Sequence, residues 1–178
     1  MLTSTVQISV MNTAYAPTGF QFTLLNTTFT TNDDWAAATD GSQAEYDMKS
    51  SLRQGNYGDL NLYFVSNLGD GLLGVCPFPD NHSGADNTFL LDGCMIQASS
   101  MPGGGEANFN MGGTAVHETG HWFGLLHVFQ GDSCAPGGDH ILDTPRQATS
   151  TNGCPTGKDS CPGVQGLDSI HNCKPSHI

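Results

Sequence analysis

Positive charge is scarce in this chain. Lys and Arg number five (Lys49, Arg53, Arg146, Lys158 and Lys174) among 178 residues, against 17 acidic side chains, and the formal net charge is −12. Nucleic acids and anionic membrane surfaces are held by clustered Lys and Arg. Five dispersed cations cannot form such a patch, so nucleic-acid binding is excluded. No apolar run approaches the roughly 18 residues of a spanning helix, so no membrane span is expected. Charge of either sign is thin, at 12% of residues, against roughly a quarter in an average soluble domain. Glu is rarest among the acids, with only Glu45, Glu106 and Glu118. The six cysteines contain no C-x-x-C pair, which argues against a zinc knuckle or a thioredoxin-type motif.

What is abundant is glycine, at 23 positions, and Asp, which supplies the other fourteen acids. Both favour turns, so a loop-rich domain coated with neutral polar groups is expected. The length suits one domain with its own core. Cys76, Cys94, Cys134, Cys154, Cys161 and Cys173 point to an oxidising compartment. Four of them fall in a Gly/Pro/Asp-rich stretch between 134 and 173 with little apolar periodicity. Such a segment cannot hold itself by burial, and disulfides would supply the constraint. Two sequons, Asn26-Thr27-Thr28 and Asn81-His82-Ser83, fit a secreted surface. Residues 1–5 show neither the basic nor the apolar region of a signal peptide.

Val6, Val10, Met11, Ala14 and Tyr15 stand at helical spacing, and a helix is expected over 3–15. The alternation Val6, Ile8, Val10 is the competing strand pattern. Residues 19–24 alternate with period two and read as a strand. A helix is expected over 40–53, with Ser42 and Glu45 as a capping box and Gly55 beyond it. Residues 59–65 (Leu60, Leu62, Phe64), 72–78 and 89–98 read as further strands. Residues 112–124 read as a helix, and loops follow from Gly131.

The stretch His117-Glu118-Thr119-Gly120-His121-Trp122-Phe123-Gly124-Leu125-Leu126-His127 carries the chemistry. On a helix, His117 and His121 lie one turn apart on one face. Their imidazoles can then reach one ion at about 2.0–2.1 Å. Glu118 is turned away from that ion and suits a general base that holds and deprotonates a water on the metal. Gly124 lets the backbone leave the helix with positive φ. His127 then returns as third ligand, leaving zinc a fourth, open position. One of only three Glu residues fills the required slot. Trp122 and Phe123 read as core rather than pocket wall.

With its H-E-x-x-H-x-x-G-x-x-H stretch, the sequence resembles the metzincin zinc proteases, and its surroundings resemble the pappalysin branch, especially secreted fungal metalloproteases. The supporting pieces are Ala14-Tyr15-Ala16-Pro17-Thr18-Gly19-Phe20, Asp59-Leu60-Asn61-Leu62-Tyr63, the run Gly120 through Gly131, Asp143-Thr144-Pro145, Gly153-Cys154-Pro155-Thr156-Gly157 and Asp168-Ser169-Ile170-His171-Asn172. The resemblance implies an α+β, zincin-like fold. It would be a twisted mixed sheet with a backing helix and the active-site helix, then a loop-rich, disulfide-bonded C-terminal subdomain. It implies one catalytic domain over 1–178, divided into 1–127 and an incomplete 128–178. It further implies a secreted, monomeric zinc endopeptidase acting on protein or peptide substrates. Residues 93–98 would be the sheet's edge strand, open to an extended substrate. Structural calcium is also implied, with the Asp132, Asp139, Asp143 region as the place to look.

The family pattern continues past Asn172 into a Met-turn. Here Cys173-Lys174-Pro175-Ser176-His177-Ile178 follows instead, with no Met after Met111 and no Tyr after Tyr63. A domain truncated at both ends is therefore expected, and a zinc-binding homologue with impaired catalysis is the alternative to an active protease. The family's cysteine spacing implies Cys134–Cys161 as one bridge. In the family Cys154 pairs with a cysteine further along; here either Cys173 substitutes as its partner, leaving Cys76 with Cys94, or Cys154 stays free.

Overall fold

Helix α1, Leu2–Tyr15, buries one face through Gln7, Met11 and Tyr15, spaced four apart. The helical reading of this segment holds. Its face is shifted from the one expected, however: Val6 is exposed, and Gln7 takes the inner position because its Nε2 donates to the Gly112 carbonyl at 2.9 Å. A computed structural model of the chain describes residues 2–80, 87–151, 153 and 155–164. They fall into two compact units that part between Gly124 and Leu125.

In the first unit, no strand forms over 19–24. The alternating aromatics there serve a different purpose. Phe20 and Phe22 pack on Phe123, with ring centroids 4.6 and 6.2 Å away. The backbone of Phe22 is paired by one side chain instead of a neighbouring strand. Asn12 Oδ1 accepts from its N–H at 2.6 Å, and Asn12 Nδ2 donates to its carbonyl at 3.0 Å. A short helix α2, Asp33–Ala36, follows, capped by Asn32. Helix α3, Gln43–Leu52, begins at the expected cap: Ser42 Oγ accepts from Glu45 N at 3.1 Å. Glu45 reaches back one residue further than a capping box requires, accepting from Gly41 N at 2.7 Å.

Strands β1 (Leu62–Val65), β2 (Gly74–Val75) and β3 (Cys94–Gln97) form one sheet in the order β1-β3-β2. β1 runs parallel to β3, with Leu62 opposite Cys94, and β2 runs antiparallel to it, with Gly74 opposite Ile96. This corrects the expectation that 93–98 is the edge: β3 has a neighbour on each side, and β2 is an edge of the described sheet. The period-two alternation of the strands sorts their side chains into two clusters. Tyr63, Val65 and Met95 pack with Met48, Ala38 and Leu68 on the α3 side. Leu62, Phe64, Cys94 and Ile96 pack with Met11 of α1 and Ala115 on the other.

Residues 89–98 are not one strand. Helix α4, Asn87–Leu91, comes first, and Gly93, at φ +105°, separates it from β3. The carbonyls ahead of β3 are claimed by α3 rather than by a strand. Lys49, 1% exposed, donates to Leu91 O at 2.8 Å and Gly93 O at 2.9 Å while pairing Glu45 at 2.8 Å. Arg53 Nε donates to Phe89 O at 2.7 Å. Helix α5, Gly113–Trp122, closes the unit within the expected 112–124.

The second unit has no helix or strand among the described residues, as the loop reading expected. It is tied by the Cys134–Cys161 disulfide, and the first unit contains Cys76–Cys94. Both pairings match expectation. Cys154 and Cys173, the Asn81 sequon and the 168–172 motif lie outside the described residues.

Candidate metal centre

Helix α5 is held at both ends and along its back. At its start, the Gly112 carbonyl takes the Gln7 amide. One turn in, the Tyr15 hydroxyl donates to Val116 O at 2.9 Å. At its end, Trp122 Nε1 donates to Asp92 Oδ1 at 2.8 Å, and Asp92 Oδ2 accepts from Arg53 at 2.8 Å. Trp122 packs against the α1-side core, so the core reading of this residue holds. The Cys94 sulfur lies 3.5 Å from the Glu118 carbonyl oxygen, which sets the Cys76–Cys94 bridge against the middle of the helix. That contact and the Asp92 anchor are not legible in the sequence, because each joins residues far apart in the chain.

So fixed, α5 presents His117 and His121 on one face. Their Nε2 atoms stand 3.1 Å apart with ring planes 88° to each other. Two nitrogens bound to a tetrahedral zinc at about 2.0–2.1 Å would be about 3.3 Å apart, so the pair is close to chelating geometry. Phe78 meets His121 edge-on at 5.3 Å. The helix ends at Phe123, and Gly124 turns the chain at φ +91° with its N–H on His121 O at 2.8 Å. This is the exit expected of that glycine. One ring nitrogen from each of His117, His121 and His127 lies within 4.8 Å of the others. Three imidazole nitrogens are a donor set that zinc accepts. Among the described residues this is the one gathering of three or more metal-ligating side chains, and Asp132, Asp139 and Asp143 form no such group.

Glu118 points elsewhere, as its place on the helix requires. It is 6% exposed, and burial pushes its carboxyl from 4.5 up to about 7. Its side chain lies against Gly74 of β2. Sequence reasoning did not single out that glycine, although a Gly inside a strand pattern is a known sign of close approach.

Comparison with known proteins places these residues in company. The Peptidase_M43 family model, described as pregnancy-associated plasma protein-A, matches residues 47–169. An extracellular metalloprotease of Sordaria macrospora is 54% identical over 166 residues, covering 93% of this chain and 56% of its own length. One from Neurospora crassa is 51% identical with the same coverage. The chain thus spans about half the length of these curated relatives. The structure of mature mirolysin from Tannerella forsythia, in complex with a cleaved peptide, aligns with a TM-score of 0.57 at 25% identity. It covers 93% of this chain and 73% of that one.

Proposed function

Because the chain belongs to the Peptidase_M43 family, we propose that it is a zinc-dependent metalloendopeptidase hydrolysing peptide bonds of protein substrates. His117, His121 and His127 hold the ion in this reading, and Glu118 is the general base. The observation that carries it is the convergence of three imidazole nitrogens within 4.8 Å, with a buried carboxyl on the residue next to the first of them. A bound zinc would supply Lewis acidity toward the scissile carbonyl and toward water. The chain's own residues do the rest. Glu118, whose burial raises its proton affinity, takes a proton from the attacking water and returns it to the leaving amine. The α1, Asp92 and Cys94 contacts keep α5 from shifting while this happens.

Extended substrate pairs with β2 rather than β3 in this reading, since β3 is already bonded on both sides and β2 lies beside Glu118. The relatives' extracellular naming supports secretion, and the two disulfides suit that compartment. The architecture supports the zincin-like, two-subdomain catalytic domain implied by the resemblance.

The test is casein or gelatin cleavage with and without chelator, alongside metal analysis. Glu118→Ala is expected to keep stoichiometric zinc and lose cleavage by at least about a thousandfold. Cleavage that survives the substitution removes Glu118 as base. Stoichiometric zinc in a wild-type chain that never cuts favours the non-cleaving, zinc-binding alternative.

A further inference from the structure

Gly74 is the first residue of β2, at the register position opposite Ile96. A Cβ placed on it would stand 2.5 Å from Glu118 Cγ, 2.7 Å from Oε1 and 2.8 Å from Cδ. All three atoms belong to one side chain. No other atom of the protein is closer to that position, and Gly74 is not in the left-handed region. An alanine there would therefore meet no left-handed backbone strain, and the three nearest atoms it meets are those of Glu118. What it would meet is the Glu118 side chain, from Cγ to the carboxyl group, which must shift to admit it. The group forced to move is the carboxyl group of Glu118.

We propose that Gly74 is the positioning residue of Glu118: its missing side chain is the space in which the Glu118 side chain is held against β2. The inference rests on the reading of Glu118 as general base and names what sets that base's place. Glu118 lies on α5 and is itself buried, at 6% exposed, with Gly74 of β2 against its side chain. Gly74 and Glu118 are 44 positions apart in sequence, and the packing of α5 against β2 brings them together. A displacement of about 1 Å in a reacting group can cost on the order of a hundredfold in rate.

Gly74→Ala is expected to lower kcat by about ten- to a hundredfold, with KM within about threefold. Zinc affinity by competition titration should stay within about threefold, because no histidine is touched, and Tm should move by only a few degrees. A double-mutant cycle separates positioning from general damage. Glu118→Ala removes Cγ, Cδ and Oε1, the three atoms nearest the added methyl group. In that background Gly74→Ala should change the residual cleavage rate less than about threefold. An equal fold-loss in both backgrounds, or kcat unchanged by Gly74→Ala alone, overturns the proposal.

A second readout needs no turnover. With only three Glu residues in the chain, carboxyl-13C glutamate gives three resonances, and Glu118→Gln identifies one. Gly74→Ala should move the Glu118 resonance and leave Glu45 and Glu106 in place. An unmoved Glu118 resonance overturns the proposal even if the wild-type chain proves inert. Inertness with a moved resonance overturns the protease reading and leaves Gly74 as the residue that places Glu118.

Discussion

Tyr15 carries its phenol into the contact between α1 and α5, where the hydroxyl donates to Val116 O. Burial pushes it from 10.0 up to about 12. The folded chain thus holds this proton more tightly than the unfolded chain does. The stability it contributes is complete below pH 10 and is lost as pH rises from 10 through about 12, with a slope approaching about 1.4 kcal/mol per pH unit. Tyr63 is raised by burial as well and acts in the same direction. Tyr15→Phe should cost about 1 kcal/mol at neutral pH and flatten the alkaline decline without abolishing it. Urea titrations from pH 8 to 12 check this, and an equally steep decline in the variant would count against it. The motif histidines were legible at this scale because their relation is local: four residues is one helical turn, and a glycine is a permitted exit. Gly74 was not, because its partner is set by the fold.

At the level of elements, the three contacts from α3 to the 89–93 segment explain why a strand-like pattern became helix, break and strand. Lys49 and Arg53 take the carbonyls that a longer β3 would have needed. The same segment carries Asp92, the link between Arg53 and Trp122. The side chains of Arg53 and Asp92 are 3% and 6% exposed, and Arg53 also stacks on Phe89 at 4.0 Å. Asp92→Ala would leave the Arg53 guanidinium with backbone carbonyl partners but no counter-charge, and would free the indole N–H at the end of α5. A loss of about 3–5 kcal/mol in urea unfolding is expected. Because Trp122 adjoins His121, zinc affinity of the folded variant should fall about tenfold. A stability loss under about 1 kcal/mol with unchanged zinc binding would show that the link does not hold the helix.

For the whole molecule, the two units are held by different means. The first has a sheet with an apolar cluster on each side. The second has no helix or strand among its described residues, and its buried members include Gln147, Thr151 and Cys161. Gln147 Nε2 donates to Thr149 O at 2.7 Å and Thr151 Oγ1 at 2.8 Å, and Lys158 donates to Ser150 O at 2.7 Å. Such bonds contribute little net stability each, so the Cys134–Cys161 bridge, closing 27 residues, carries much of the constraint. Replacing both cysteines by serine should cost about 3.5 kcal/mol on the chain-entropy model. Limited proteolysis should then cut within 125–164 while the helical far-UV signal persists. An unchanged digestion pattern would show that the bridge is dispensable.

The sequence by itself determined what depends on neighbours along the chain. The histidine pair follows from helical pitch, the Ser42 cap from the geometry of a first turn, and the charge balance from composition. These need no knowledge of what packs where. Only the tertiary structure decided that β3 is the middle strand, that Phe20 and Phe22 dock on Phe123 instead of pairing in a sheet, and that Gly74 meets Glu118. In each case the local pattern is compatible with several arrangements. The choice among them rests on burial and hydrogen-bond satisfaction between residues tens of positions apart, which no short window of sequence contains.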